Sequence, residues 1–298
     1  MANPICPKPS DSLSEWLNQA NQLLPDSDSA KLDLEVLLCH ILDRSRTFLY
    51  TWPETLLSDD QYQALVAGVA KRQQGQPIAH IVGYKEFWSL PLQVSDTTLI
   101  PRPDTETLIE WVLENFSGEE DTDVKKKAVD LGTGTGAIAL ALASEYPLWD
   151  VSGCDRVKEA VELAKINANA LGLESVRFFE SSWFDGFDSV ADAGSYHLII
   201  SNPPYIRVAD KHLSEGDVVF EPKSALVSGE DGLDDIRTII SGALHFLTGS
   251  GCLLIEHGYD QAEQVAQLFV DAGYVGVGSG QDYGGNDRFT FGWNATSR

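Results

Sequence analysis

The sequence predicts an α/β protein: a doubly wound, mostly parallel sheet preceded by a small helical bundle. Three observations carry that expectation. From Lys126 onward, short apolar runs alternate with amphipathic segments of helical period, as strands do when each is followed by a covering helix. Before Gly75 only the helical period is present. A glycine-rich turn, Gly132-Thr133-Gly134-Thr135-Gly136, follows the first apolar run, and open sheets of this class bind ligands beyond their C-terminal strand ends.

The bundle comes first. "SLSEWLNQANQLL" puts Leu13, Trp16, Leu17, Ala20, Leu23 and Leu24 on one helical face, with Asp11 or Ser12 as N-cap. A second helix is expected in "SAKLDLEVLLCHIL", stopping near Asp43, with His40 among its apolar neighbours. A third runs from about Ser58 and ends by Gly75. Then the period changes. "IAHIVGYKEFWSLPLQVS" alternates and is broken by Gly83 and Pro91, as a β-hairpin or an extended linker would be. "TLIPRPDTETLIEWVLENF" passes from a proline-rich turn into an amphipathic helix capped by Asp104 or Thr105, and the acidic loop "SGEEDTD" follows.

Strands and helices then alternate. "KKAVDLG", "WDVSGCD", "VRFFES", "YHLIIS" and "GCLLIEHG" read as strands. "TGAIALALASEY", "VKEAVELAKINANALG", "DDIRTIISGALHFL" and "DQAEQVAQLFVDAG" read as helices. The tail, "YVGVGSG" to "NDRFTFGW", supplies two last strands. The expected division is a helical domain over 1–75, a hairpin or linker over 76–103, and the sheet domain over 104–298.

At 298 residues and 43% apolar, the chain can bury a substantial core. Its 45 acidic and 21 basic residues give a net charge of −24. Such a surface repels phosphate backbones, and the one tight basic run, Lys125-Lys126-Lys127, reads as a solvated loop. No nucleic-acid partner is expected. No apolar run approaches the roughly 20 residues of a membrane helix, and "MANPICPKPS" lacks the pattern of a secretory signal. Cys6, Cys39, Cys154 and Cys252 are scattered, with no C-x-x-C pair and no metal spacing. A cytoplasmic protein with reduced thiols and no metal is the expectation.

The strand ends carry the chemistry. Glycines at 132, 134 and 136 let backbone approach a ligand closely and turn tightly into a helix, but G-x-G-x-G is not the dinucleotide fingerprint G-x-G-x-x-G. Asp130 can accept hydrogen bonds from a ligand ammonium. Asp155, ending the second strand, can accept both hydroxyls of a ribose or cap a helix beginning near Arg156; beside the glycine turn, ribose binding is the preferred reading. Trp183 after the third strand is a wall for an adenine or a core residue. No Lys or Arg grips a phosphate at these ends, so an adenosine without phosphates fits best.

The fourth strand ends in Asn202-Pro203-Pro204-Tyr205. With adenosine over the first strands, this tetrapeptide faces the 5′ side, where S-adenosylmethionine carries its sulfonium methyl. A planar amine conjugated to a carbonyl or ring is a poor nucleophile and needs two acceptors for its N–H bonds. The Asn202 side-chain oxygen and the carbonyl of Pro203 can supply them, because prolines fix φ and donate no N–H. Tyr205 would pack on the flat group and exclude water. Acceptors aimed at the charge developing on nitrogen lower the barrier to transfer.

Taken together, "VDLGTGTGAIALALA", "SNPPYI", "FEP", "LIPRPDTE", "KEFWSLPL" and "EHG" resemble the release factor glutamine methyltransferases, called PrmC or HemK, over nearly the whole chain. N-P-P-Y alone is shared with adenine-N6 and guanine-N2 nucleic-acid methyltransferases; "LIPRPDTE" with a helical N-terminal domain is more particular. The resemblance implies a Rossmann-like class I methyltransferase fold and S-adenosylmethionine as cofactor, leaving S-adenosyl-L-homocysteine. It implies methylation at the side-chain amide N5 of the glutamine in the Gly-Gly-Gln motif of class I peptide-chain release factors. By position, Gly132, Thr133, Gly134, Thr135 and Gly136 would line the cofactor turn, Asp155 would hold the ribose and Trp183 would lie near the adenine. Asn202 would touch both cofactor and substrate, and Asn202 to Tyr205 would bind the amide. The segment Thr98 to Glu106 would lie over the cofactor, with Leu99 or Ile100 closing the glutamine pocket and Arg102 bracing it. From its placement before a hinge-like linker, the helical domain is expected to recognise the substrate. Two rivals remain at this stage. One is a nucleic-acid amino methyltransferase, which the acidity disfavours; the other is a non-catalytic docking module, which would need neither the glycine turn nor N-P-P-Y.

Overall fold

The computed structural model describes residues 8–116, 125–214 and 216–295. Cys6 and the "SGEEDTD" loop lie outside them. The chain forms two compact units. One holds the residues up to Tyr84 with Ser214–Phe220; the other holds Lys85–Leu213 and Glu221 onward. The division at Tyr84 falls within the segment read as hairpin or linker.

The first unit is helical: α1 Leu13–Asn18, α2 Ala20–Leu23, α3 Ala30–Leu42, α4 Arg46–Thr51, α5 Asp59–Gln73 and α6 Ile78–Val82. Ser12 caps α1 and Ser58 caps α5, each in a reciprocal capping box with Glu15 or Gln61. Asp43 stops α3 in a left-handed conformation (φ 50°). The core is Leu13, Trp16, Leu34, Leu38, Leu49 and Leu65, all almost wholly buried. Two expectations change here. The first helix breaks at Gln19 into α1 and α2. "IAHIV" is not extended but the single-turn helix α6, started after Pro77 and stopped by Gly83 (φ +83°).

A hairpin, β1 Tyr84–Phe87 with β2 Leu90–Gln93, begins at the last residue of the first unit and turns at Trp88 and Ser89, both at positive φ, as in a type I′ two-residue hairpin loop. Helix α7, Glu106–Phe116, follows a 3-10 turn over Pro103–Thr105. No side chain caps that turn, contrary to the expected Asp104 or Thr105 cap; the Thr105 hydroxyl donates elsewhere.

The sheet comprises β3 Lys127–Leu131, β4 Asp150–Asp155, β5 Arg177–Glu180, β6 Tyr196–Ser201, β7 Leu247–Glu256, β8 Val275–Gln281 and β9 Asp287–Trp293. Their order is β5-β4-β3-β6-β7-β9-β8. The first five in that order are parallel, and β9 runs antiparallel to both neighbours. Helices α8 Ala137–Glu145, α9 Lys158–Leu171, α10 Asp234–Phe246 and α11 Ala262–Ala272 cover it. Alternate strand residues feed the two faces: Leu198 and Ile200 pack in one apolar cluster with α7, α8 and α9, while Ile199 packs in the other with α10 and α11. Each such fully buried side chain contributes about 1.5–3 kcal/mol by leaving water.

The lysine run is not simply a solvated loop. Lys127 opens β3, and Lys126 is buried with Nζ 5.2 Å from the Phe116 ring centre and 5.6 Å from that of Trp149. Strand β3 lies between β4 and β6, so the chain winds away from it in both directions. That makes its C-terminal end the switch point where an open sheet leaves a ligand crevice.

Candidate active site

The site starts from the turn after β3. Gly132, Gly134 and Gly136 have φ of +73°, +54° and +85°, a region in which a Cβ is disfavoured. Gly132 and Thr133 donate their N–H groups to the Cys154 carbonyl, both at 2.9 Å, tying the turn to the end of β4. A Cβ on Gly136 would stand 3.1–3.2 Å from Leu140, Ala164 and Phe178, so this glycine lets α8 pack closely. Thr133 lies over Gly153 of β4, where a Cβ would come within 2.6 Å of its hydroxyl.

Asp130 is 1% exposed. Its Oδ2 accepts the Thr133 hydroxyl at 2.6 Å and the Ala139 N–H at 3.3 Å, whereas Oδ1 has no hydrogen-bond partner. Burial pushes this carboxyl up to about 7, against the lowering pull of those two donors. Thr98 Oγ1 is a second buried polar atom without a partner. Both residues line one open cleft.

Asp155 ends β4 at the same cleft. Its Oδ2 accepts the Gly134 N–H at 3.0 Å and its Oδ1 the Val157 N–H at 2.9 Å, so it orders the turn and the entry to α9, which starts at Lys158. Burial raises its pKa, partly offset by those N–H bonds. The Trp183 ring rests on Gly132, 3.4 Å from where a Cβ would be, and its Nε1 donates to Asp235 Oδ1 at 3.1 Å. Trp183 holds this pose at φ +48°, a costly conformation for a bulky residue.

Across the cleft runs the segment from Thr98 to Thr105, tethered by Glu221. The buried Glu221 carboxylate accepts the Ile100 N–H at 2.9 Å and Arg102 Nη2 at 2.6 Å. Beyond β6, Asn202 Nδ2 donates to Thr105 Oγ1 at 3.1 Å, and Thr105 Oγ1 donates to Glu256 Oε2 at 2.7 Å. Glu256 Oε1 in turn accepts the Tyr205 hydroxyl at 3.3 Å. Gln261 Nε2 donates to the Tyr205 carbonyl at 3.1 Å. Both ends of the tetrapeptide are thus tied to the carboxylate at the end of β7.

Asp130, Gly132, Thr133, Gly134, Thr135, Asp155, Trp183, Asn202, Pro204, Leu99 and Arg102 line the one cleft. Gly136, Ile100, Pro203 and Tyr205 are not among its lining residues: Gly136 packs against α9 and β5, the Ile100 N–H is tethered to Glu221 and Tyr205 is bonded to Glu256. Glu256 and Glu221 have no assigned part in the sequence reading. Glu256 had a signal: it closes the apolar run "CLLIE", another strand end beside β6. Among the described residues no cluster of His, Cys, Asp and Glu could hold a metal ion, and no helix is long and apolar enough to cross a membrane.

Comparison with known proteins covers both units. The family described as PrmC N-terminal domain matches residues 15–83, and that described as methyltransferase small domain matches residues 105–229. Among solved structures, the N-terminal domain of human METTL16 in complex with SAH matches with a TM-score of 0.52 at 16% identity, covering 87% of this chain and 94% of that one. A methyltransferase from Pyrococcus furiosus matches at 0.51 and 15% identity, over 80% of this chain and 100% of that one. At such identities these establish the fold, a Rossmann-like methyltransferase sheet. The release factor glutamine methyltransferase of Vibrio cholerae is 51% identical over 91% of this chain and 92% of its own length. Those of Pseudomonas aeruginosa and Escherichia coli are 51% and 46% identical over 90% and 93% of this chain, and over 94% and 97% of theirs. With identity this high sustained through both units and the cleft, the chain belongs to the release factor glutamine methyltransferase family.

Proposed function

We propose that this protein transfers a methyl group from S-adenosylmethionine to the side-chain amide N5 of the glutamine in the Gly-Gly-Gln motif of class I peptide-chain release factors. One observation carries the reading: Asn202, with its amide oriented by Thr105, opens onto the same cleft as Asp130, Asp155 and the glycine turn.

The residues present fit the cofactor. Asp130 Oδ1, buried and without a partner, suits an ammonium. Asp155 already accepts two N–H bonds, and a carboxylate has lone pairs left for ribose hydroxyls. Trp183 offers an apolar wall beside the turn, and the positive-φ glycines keep the backbone open to close approach. When bound, S-adenosylmethionine supplies an activated methyl on a sulfonium, so this chain needs no nucleophile of its own.

The protein's part is placement. The Asn202 carbonyl accepts one N–H of the glutamine amide and the Pro203 carbonyl the other, which localises electron density on nitrogen as the new C–N bond forms. The nitrogen sheds one proton to water for each methyl gained. Leu99 and Arg102, held by Glu221 through Arg102 and the neighbouring Ile100 amide, bound the acceptor side. The helical unit is assigned recognition of the release factor; deleting it through Tyr84 should raise the KM for release factor more than the Kd for cofactor.

The test is transfer of labelled methyl to an unmodified release factor, beside one whose Gly-Gly-Gln glutamine is replaced, with cofactor binding measured separately. Label in the first alone supports the reading. Label in both, or none despite bound cofactor, refutes it.

A further inference from the structure

We propose that Glu256 is the positioning residue that fixes which way round the Asn202 amide stands, and so makes Asn202 an acceptor toward its substrate. This rests on the methyl-transfer reading above and deepens it.

Glu256 is 1% exposed and Thr105 4%. An ionised carboxylate accepts and never donates. Its two oxygens take the hydroxyl protons of Thr105 and Tyr205. Thr105 has only one proton, and it is now committed, so toward Asn202 its oxygen can only accept. The Asn202 Nδ2 must therefore face Thr105, as it does at 3.1 Å. Oδ1 is left at the other end of the planar amide, available to the cleft that Asn202 lines. A donor in place of the carboxylate would let the Thr105 proton swing round to Asn202. The amide would then turn over and present its NH2 to an incoming NH2, donor against donor.

That polarity gives the buried charge a reason. A neutral amide of the same shape would be cheaper to bury; only a carboxylate lacks a donor altogether. Glu256 does not line the cleft and acts through Thr105. The groups facing it are the Arg288 guanidinium, which favours the ionised form, Asp104, which opposes it, and the two hydroxyls. The adjoining His257 ring is occupied by the Gly258 carbonyl and Thr290 Oγ1.

The test measures kcat, release-factor KM and cofactor Kd for the parent, Glu256→Gln, Asn202→Asp and the double variant. Glu256→Gln should lose about tenfold or more in kcat, with KM and Kd within about threefold. In the double variant the new amide can donate to Thr105 and Thr105 to the new carboxylate, whose second oxygen remains an acceptor. Its kcat should lie about tenfold above the value that multiplying the two single losses gives, the coupling of residues in one network. At saturating cofactor the parent's kcat should fall below a pH of about 7, where burial has moved the Glu256 carboxyl, and the fall should be shallower in Glu256→Gln, which keeps only the titration of Asp130. Should Glu256→Gln fail to bind cofactor, Thr105→Ser against Thr105→Val decides: serine within about threefold and valine down about tenfold supports the relay. Strictly additive losses, kcat of Glu256→Gln within about twofold of the parent, or Thr105→Val as active as Thr105→Ser overturns it. A parent that binds cofactor yet methylates no release factor overturns the underlying reading instead, before any variant is made.

Discussion

Asp155 Oδ2 accepts the backbone N–H of Gly134 at 3.0 Å, joining the end of β4 to the glycine turn that follows β3. The two elements first read as cofactor contacts are therefore one mechanical unit. A carboxylate that orders the turn cannot move without moving the backbone around the ligand. Asp155→Ala should raise the Kd for S-adenosylmethionine about tenfold or more, the scale of losing a hydrogen bond to a charged group. Calorimetric titration checks it; an unchanged Kd would remove Asp155 from the cofactor site.

Asn202→Ala removes the acceptor while leaving Thr105 bonded to Glu256. The expected loss is about 10² or more in kcat, with cofactor Kd changing far less. Steady-state kinetics at saturating cofactor read this directly. A kcat within threefold of the parent would refute the assigned role.

Arg102→Ala takes one partner from the buried Glu221 carboxylate, which also accepts the Ile100 N–H. Breaking a fully buried pair costs about 3–5 kcal/mol; with the Arg102 side chain 33% exposed, solvent screening brings the expectation to about 2 kcal/mol. The urea midpoint should drop, and the KM for release factor should rise because the Thr98 to Thr105 segment loosens. Arg102→Lys should recover part of both. Unchanged stability would mean the tether does not depend on the ion pair.

Burial raises the Glu256 carboxyl from 4.5 to about 7. Between those values the folded protein holds a proton that the unfolded chain has released, so this group's contribution is favourable at low pH and is lost as pH rises through the window. Glu256→Gln cannot titrate. The stability of the parent relative to that variant should therefore fall between pH 4.5 and 7, by on the order of 3 kcal/mol at most. Asp130, likewise raised to about 7, is present in both proteins and cancels. Parallel melting-temperature profiles across that range would contradict the assignment.

The alternation that builds the sheet is local, with a period of two in strands and 3.6 in helices, so strand ends such as Gly132, Asp155 and Asn202 were legible from short windows. The single-turn helix α6 was not, because one turn is held by packing rather than by its own pattern. Thr105 shows the deeper limit. Its position before α7 reads as a cap, yet its hydroxyl is taken by Glu256, 151 residues away in the chain. Glu221 binds Ile100 across 121 residues. Such pairings depend on which strand ends become neighbours, and only the folded sheet decides that.

The most direct measurement is peptide mapping by mass spectrometry of a release factor incubated with this protein and S-adenosylmethionine. The expected result is a single methyl on the Gly-Gly-Gln glutamine, located on its side-chain amide and absent when Asn202 is replaced by alanine. A methyl on any other residue, or the same yield from Asn202→Ala, would contradict it.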